Sequence, residues 1–206
     1  MALTIDKKKT ALLVMDCEND IVHKDGKIAV GMGFGAMVEK YGTLKHIKTV
    51  LDAAREAKIP IIYIEVDLSK LKPEEFPRRG QFFANLAAGA GQALVKGTWG
   101  AQIHDDVKPM PGEYVIGKCI VSSFCRSTLD ETLKKHGITD LILTGVATTM
   151  VVEATARNAV DIGYSCITVE NAVTSFSDEA HKGSMAVLHM ISDVASAAEV
   201  AAVLRA

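Results

Sequence analysis

The chain has 206 residues, with 23 Lys and Arg against 25 Asp and Glu and a formal net charge of −2 at pH 7. This balance, without a long basic run, argues against a nucleic-acid partner, because binding phosphates needs a cationic surface. Hydrophobic residues make up 49% of the chain and aromatic residues only 5%, so the core must be mainly aliphatic.

Residues 1–9 form a short polar segment without the apolar core or the small-residue cleavage site of an export signal. No apolar run approaches the ~20 residues needed to cross a bilayer. The four cysteines, and the six scattered histidines, show neither a metal-type spacing nor the density of a disulfide-rich secreted protein. We therefore expect a cytoplasmic protein of one domain, residues 1–206, with no membrane contact, no cofactor and no metal.

The first third of the chain predicts a strand, a helix and a second strand. Residues 10–15 are an almost continuous apolar run that stops at Asp16, as is typical of a strand covered on both faces. Residues 37–58 carry apolar positions at helical spacing. Residues 59–66 are a second apolar run, and together these segments predict a βαβ unit.

The middle of the chain is less regular. Residues 67–109 contain prolines, glycines and little periodicity, which predicts a long functional loop or lid. A third strand is predicted at residues 113–116, after the turn signal at residues 110–112. Ser127 is the expected N-cap of a helix that runs to Lys135 and ends before Gly137.

The last third alternates again between strands and helices. Strands are predicted at residues 140–144, 165–170 and 193–195, with helices after the Gly145 turn, at residues 179–191 and after the N-cap residue Ser196. The predicted fold is α/β: a doubly wound, mostly parallel six-stranded sheet with helices on both faces.

The segment Leu143-Thr144-Gly145-Val146-Ala147-Thr148-Thr149-Met150-Val151-Val152-Glu153-Ala154-Thr155-Ala156 places a strand, a tight turn and a helix start in succession. It resembles the nucleophile turn of the isochorismatase-like hydrolases, or cysteine hydrolase superfamily, whose pattern is roughly Gly-Val-Ala-Thr-x-x-Cys-Val-x-x-Thr-Ala. Val151 stands where that family usually carries its nucleophilic cysteine. The resemblance implies the fold, whereas the valine removes the usual chemistry.

Two further segments carry the resemblance. Leu13-Val14-Met15-Asp16-Cys17-Glu18-Asn19-Asp20 matches the segment that holds the family's general acid/base, which implies that role for Asp16. Val115-Ile116-Gly117-Lys118 matches the segment of the family lysine, and Lys118 would orient the substrate or stabilise a developing anion. Both residues, like Val151, follow predicted strands and should meet at the carboxyl edge of the sheet. Without the resemblance, a turn-forming Asp and a surface Lys would explain the same pattern.

The resemblance also implies a cis peptide at Val146-Ala147, a backbone oxyanion hole near Ala147 and Val151, and a homo-oligomer, either a dimer or a tetramer. The residues predicted to bind substrate around these catalytic positions are Asn19, Arg79, Trp99, Phe124, Ala147 and Thr148. Alternatives stay open, because Arg79 fits a solvated arginine, and Trp99 and Phe124 fit core aromatics equally well.

The four cysteines of the chain are candidate substitutes for the missing thiol. Cys17 and Cys166 are expected in the core, because Cys17 should point away from Asp16 and Cys166 has apolar neighbours. Cys119 and Cys125 follow Lys118 in a loop that could line the pocket, but neither is at a helix N-terminus that would lower its pKa. A surrogate nucleophile is therefore not expected.

Three functions remain compatible with the sequence. The first is hydrolysis of a small vinyl-ether-type substrate without a covalent step, with Asp16 as the proton donor, as in the isochorismatase branch of the family. The second is hydrolysis of an amide, imide or ureide by a divergent member whose cysteine was lost or replaced. The third is a pseudoenzyme that binds a small molecule without turnover.

Overall fold

The computed structural model describes residues 3–70, 72–75, 77–88 and 93–206. Within them, six parallel strands form one sheet in the order β3-β2-β1-β4-β5-β6. The strands are β1 (Thr10–Met15), β2 (Ile61–Val66), β3 (Tyr114–Lys118), β4 (Asp140–Val146), β5 (Ser165–Thr174) and β6 (Asp193–Ala195). The predicted fold class is confirmed.

β1 lies at the centre of the sheet between β2 and β4, and Leu13 pairs with Ile62 on one side and Leu143 on the other. Every residue of β1 is buried, because alternate side chains enter the cores on the two faces of the sheet. The chain builds outwards from β1 to β3 and then returns to place β4 on the other side of β1. This switch point brings the carboxyl ends of β1 and β4 together.

Helices cover both faces. On one face, α4 (Thr43–Ala57) and α9 (Ala197–Arg205) share a core through Ile47, Val50, Val200 and Leu204. On the other face, α6 (Leu129–Lys135), α7 (Glu153–Asp161) and α8 (Asp178–Ile191) pack around Leu133, Ala156 and Leu188. The remaining helices are α1 (Asn19–Val22), α2 (Lys27–Met32), α3 (Phe34–Tyr41) and α5 (Gln81–Ala88).

Several predicted boundaries are corrected. The single helix predicted over residues 37–58 is two helices, α3 and α4, because Gly42 between them has a left-handed backbone with φ +59°. Helix α6 begins after Thr128 rather than Ser127, whose hydroxyl donates to the Ser123 carbonyl oxygen and accepts from the Leu129 N–H. β5 passes Glu170, its predicted end, because an irregularity in its pairing with β4 lets the ladder continue.

The predicted loop over residues 67–109 is only partly irregular. It contains helix α5 and 3₁₀ turns at Leu68–Lys70, Pro73–Glu75, Trp99–Ala101 and Asp105–Val107. The parts of that prediction that fall on residues 71, 76 and 89–92 lie outside the described residues. In the portion of the chain that the structure covers, no helix combines the length and apolarity that crossing a bilayer requires.

Candidate active site

Asp16 and Lys118 form a buried ion pair at the carboxyl edge of the sheet. Lys118 is the last residue of β3 and pairs with Val66 in the ladder, rather than following the strand as predicted. Asp16 follows β1 directly and its backbone N–H donates to the carbonyl oxygen of Ile64. The Nζ of Lys118 lies 2.9 Å from Oδ2 of Asp16, and the two residues are 2% and 7% exposed.

Burial and the charge of Lys118 act in opposite directions on the pKa of Asp16. Burial raises the pKa of Asp16 to about 6, although the neighbouring Lys118 charge and its hydrogen bond act to lower it. Lys118 Nζ also donates to the carbonyl oxygen of Ile120 at 2.8 Å, which fixes the ammonium group. The other oxygen of Asp16, Oδ1, is buried and has no hydrogen-bond partner among the described residues.

The turn after β4 completes the site. The Val146-Ala147 peptide bond is cis, as the resemblance implied. Thr148–Val152 then form a π-helical turn that leads into α7. Val151 is 1% exposed and presents aliphatic carbon where the family pattern has a thiol.

A cavity of about 400 Å³ opens over these residues. Asp16, Lys118, Ala147 and Val151 all line it, so the structure brings together the three sequence-predicted catalytic positions and one predicted substrate-binding residue. Most of the remaining lining is apolar and comes from several segments of the chain, including Phe34, Val66, Phe82, Phe83, Leu94 and Met150.

A family model for the isochorismatase domain matches residues 10–199. The chain belongs to the isochorismatase family. Two curated relatives, the ureidoacrylate amidohydrolases RutB of Rhizobium rhizogenes (strain K84) and Agrobacterium fabrum (strain C58), are each 31% identical to it over 179 residues. These alignments cover 82% of this chain and 72% and 78% of the two relatives. This isochorismatase-family chain is a hydrolase.

Solved structures share the fold of this chain. A cysteine hydrolase from Pseudomonas syringae pv. phaseolicola 1448A has a TM-score of 0.83 at 19% identity, over 98% of this chain and 95% of that chain, which shows a common fold. N-carbamoylsarcosine amidase from Thermoplasma acidophilum has a TM-score of 0.71 at 25% identity, over 92% and 96% of the two chains.

Two polar residues predicted to bind substrate in this isochorismatase-family site lie outside the cavity lining. The side-chain amide of Asn19 donates to the Trp99 carbonyl oxygen at 2.9 Å, so it ties α1 to the Trp99 turn. Thr148 is fully buried, and its Oγ1 lies 2.9 Å from Nδ1 of His181. Both side chains connect segments of the fold, and their role in binding substrate stays a prediction.

Three larger predicted substrate-binding residues are also placed elsewhere. Trp99 is 48% exposed and packs edge-on against the ring of His23. Phe124 stacks on Tyr164 with ring centroids 5.8 Å apart and packs against the core under α6 to α8. Arg79 is exposed in the segment before α5. None of the three is among the described residues that line the cavity.

Of the four cysteines, the described lining of the cavity includes Cys119 alone. Burial, followed by the influence of Cys125, raises the pKa of Cys119, which disfavours the thiolate. Cys17 and Cys166 are buried in the cores, as expected, and burial also raises the pKa of each. A raised pKa disfavours the thiolate at each of these three cysteines. That no other cysteine replaces the missing nucleophile stays a prediction.

The residue that sequence reasoning missed is Glu18. It is 1% exposed, and Oε1 accepts the backbone N–H of Val66 at the end of β2. Burial, followed by the charge of Asp16, raises the pKa of Glu18 to about 8, against the lowering effect of the Val66 N–H and of Lys118. The only signal in the sequence is a carboxylate two positions after Asp16, at a position that the family pattern leaves variable.

Proposed function

We propose that this chain hydrolyses a small, uncharged and mainly apolar molecule by acid catalysis from Asp16, without a covalent intermediate at position 151. The observation that carries the proposal is the Asp16–Lys118 pair opening onto the same cavity as the Val151 side chain. Valine has neither a proton to lose nor a lone pair to donate. The proton-transfer groups are therefore retained at a site without the nucleophile.

The chemistry that fits this arrangement is hydrolysis of a vinyl ether. Asp16 donates a proton to the terminal carbon of the double bond, which leaves an oxocarbenium ion on the neighbouring carbon. Water adds to that carbon and loses a proton to the Asp16 carboxylate, and the resulting hemiketal collapses to a ketone and an alcohol. Lys118 holds the Asp16 carboxylate in place through its ion pair while Val151 forms part of the apolar wall.

The composition of the cavity supports an uncharged substrate. Among its described lining residues, the charged side chains are Asp16, Lys118 and the solvent-exposed Lys27. A dicarboxylate such as isochorismate would bring two negative charges beside Asp16, and the buried cation there, Lys118, is already paired. Aromatic side chains at Phe34, Phe82 and Phe83 instead favour an apolar group, which gains free energy on leaving water.

The test is a hydrolysis screen with matched pairs of enol ethers, each pair differing only in whether it carries carboxylates. We expect turnover of the uncharged members by the unchanged chain and loss of turnover in Asp16→Asn. Asp25→Asn, which changes a carboxylate with 67% of its side chain exposed, is the matched control and should keep the activity. Absence of turnover for every enol ether in the panel would refute the proposal.

The second candidate is hydrolysis of an amide or ureide, and the observation that favours it is the 31% identity to two ureidoacrylate amidohydrolases. On this alternative, Val151→Cys would place a thiol beside Asp16 and Lys118 and create amidase activity. Mass spectrometry of the Cys variant with amides and ureides should detect both product and an acyl-enzyme. A folded but inert Cys variant would rule this candidate out.

A further inference from the structure

Glu18 is a buried ionisable group that the proposed mechanism does not yet use. Its backbone is extended, with φ −69° and ψ 149°, and forms an antiparallel bridge with Ile103. The next residue, Asn19, donates its backbone N–H to the carbonyl oxygen of Gln102 at 2.8 Å. These contacts hold the backbone on either side of the Glu18 side chain, and the Val66 N–H holds Oε1 of its carboxyl group.

Glu18, Asp16 and Lys118 are all buried, Asp16 and Lys118 form an ion pair, and the charges of both act on the Glu18 carboxyl group. If all three were ionised, one uncompensated negative charge would lie among residues that are 1% to 7% exposed, at a large cost in solvation free energy. The structure also leaves two buried carboxyl oxygens without a hydrogen-bond partner among the described residues, Asp16 Oδ1 and Glu18 Oε2. One proton on a carboxyl group would cancel the excess charge.

We propose that Glu18 is a positioning residue whose carboxyl group stays protonated while Asp16 and Lys118 form their ion pair. The three buried side chains then carry no net charge together. Glu18 acts through Asp16, because it is not among the described residues that line the cavity. Its consequence for catalysis rests on the proposed function, in which Asp16 is the acid. Above the pH at which Glu18 ionises, its charge would hold protons more tightly on Asp16.

Glu18 rather than Asp16 is the holder of the proton because their surroundings differ. Asp16 has the ammonium of Lys118 at 2.9 Å, whereas the Glu18 carboxyl group accepts backbone N–H groups, those of Val66 and of Glu18 itself, and pairs with no cation within salt-bridge distance among the described residues. The buried thiol of Cys17, between the two carboxyls in the chain, has a pKa raised by burial first and then by Glu18 and Asp16. In agreement, burial raises the pKa of Glu18 to about 8 and that of Asp16 only to about 6.

The titratable side chains on the segments next to Glu18 interact with groups other than Glu18. On β2 and just after it, Glu65 responds to burial and to Asp67, Lys96 and Lys70. His104, whose backbone N–H donates to the carbonyl oxygen of Cys17, responds to burial and to Asp106, His23 and Asp105. Asp16 and Lys118 are therefore the charged side chains that act on Glu18 in the described part of the chain.

The first test measures unfolding by urea against pH. The pKa of Glu18 is raised from 4.5 to about 8 by folding, so its contribution to stability is fully present below 4.5 and is lost as the pH rises through about 8. Glu18→Gln keeps a carbonyl oxygen for the Val66 N–H but cannot ionise. We expect the urea midpoint of this variant, relative to the unchanged chain, to rise steadily from about pH 5 to about pH 9.

Glu131→Gln is the matched control, because Glu131 is exposed on α6. Its urea midpoint should keep a constant offset from the unchanged chain over the same range. A constant offset for Glu18→Gln as well would overturn the proposal.

The second test needs no substrate, and its main observation is made on the unchanged chain. In the unchanged chain labelled with ¹³C at glutamate side-chain carboxyls, one buried carboxyl signal should titrate with a midpoint near 8, and it should be missing where Glu18→Gln folds. If every glutamate carboxyl is ionised at neutral pH, Glu18 holds no proton and the inference fails. That outcome leaves the Asp16→Asn screen unaffected, whereas an inactive enol-ether panel leaves the titration intact, so the two failures are distinguishable.

Discussion

The backbone of Gly145 lies directly against the carbonyl oxygen of Met15, where β4 passes β1. A Cβ added at Gly145 would stand 2.1 Å from that oxygen, and Gly145 has φ +130°, a conformation that residues with side chains rarely adopt. This contact joins the residue before Asp16 to the residue before the Val146-Ala147 bond. The absence of a side chain at Gly145 therefore allows the segment that carries Asp16 and the turn after β4 to lie against each other.

Gly145→Ala should accordingly destabilise the fold by more than about 3 kcal/mol, because both the close approach and the backbone conformation oppose a side chain. Urea unfolding measures the change. Gly163→Ala is the control, since Gly163 has φ +97° but no atom within 4 Å of an added Cβ. It should cost only about 1–2 kcal/mol. Equal losses in the two variants would show that the Met15 contact is unimportant.

The Asp16–Lys118 pair should show strong coupling in a double-mutant cycle. Asp16→Asn leaves the buried ammonium of Lys118 without its counter-charge, and we expect a loss of about 3–5 kcal/mol in the free energy of unfolding. Adding Lys118→Met removes the unpaired charge. The double variant should therefore be more stable than the sum of the single losses allows, and additive losses would contradict the ion pair.

Hydrolysis that depends on protonated Asp16 should weaken as the pH rises. Because burial raises the pKa of Asp16 to about 6, the protonated fraction falls roughly tenfold for each pH unit above that value. Initial rates measured between about pH 5 and pH 8 should follow this fall. A rate that increases over the range would indicate that the Asp16 carboxylate acts as a base instead.

Glu113 and Arg55 form a partly buried ion pair, and neither is among the described residues that line the cavity. Burial acts to raise the pKa of Glu113, but the hydrogen bonds from Arg55 and the Met110 N–H outweigh it and lower the pKa below 4.5. The pair therefore contributes stability above pH 4.5 that is lost as the pH falls through the lowered pKa of folded Glu113.

Glu113→Gln should cost about 1.5–3 kcal/mol at neutral pH, and the difference from the unchanged chain should shrink in acid. Thermal or urea unfolding of the variant and of the unchanged chain, at neutral and at acid pH, measures this difference in stability. Glu39→Gln, at an exposed position on α3, should show almost no difference at either pH. If Glu113→Gln lowered the stability equally at both pH values, the ion pair with Arg55 would not be the source of the loss.

The capping box at Ser196 should stabilise α9. The Ser196 hydroxyl accepts the backbone N–H of Glu199, whose side chain accepts the backbone N–H of Ser196 at 2.8 Å. Ser196→Ala should lower the free energy of unfolding by about 1 kcal/mol, and Ser196→Asp should restore most of it, because aspartate also caps helices. Urea unfolding of both variants tests the cap, and equal losses would argue against it.

Local sequence was sufficient for the order of the six strands, because apolar runs reflect burial that is already encoded along the chain, whereas helices α1, α2 and α5 were not predicted. The bounds of β1 and β6 and the cap at Ser196 follow from the residues themselves. The resemblance predicted that Asp16, Lys118 and Val151 lie together, and all three line one cavity. They do so because each lies at the end of a strand or in the segment that follows it. The Gly42 break between α3 and α4 was not anticipated, because isolated glycines also occur inside helices.

Only the tertiary structure decided what surrounds those three positions. Asn19, Thr148 and Phe124 have residue types that suit a pocket. In the structure their side chains contact distant segments of the chain, at Trp99, His181 and Tyr164 respectively. Glu18 shows the reverse, because an ordinary acidic residue becomes a buried group with a strongly raised pKa once β2 and the segment at residues 102–104 pack over it. Burial and charge interactions depend on contacts between distant parts of the chain, and no local pattern of residues specifies them.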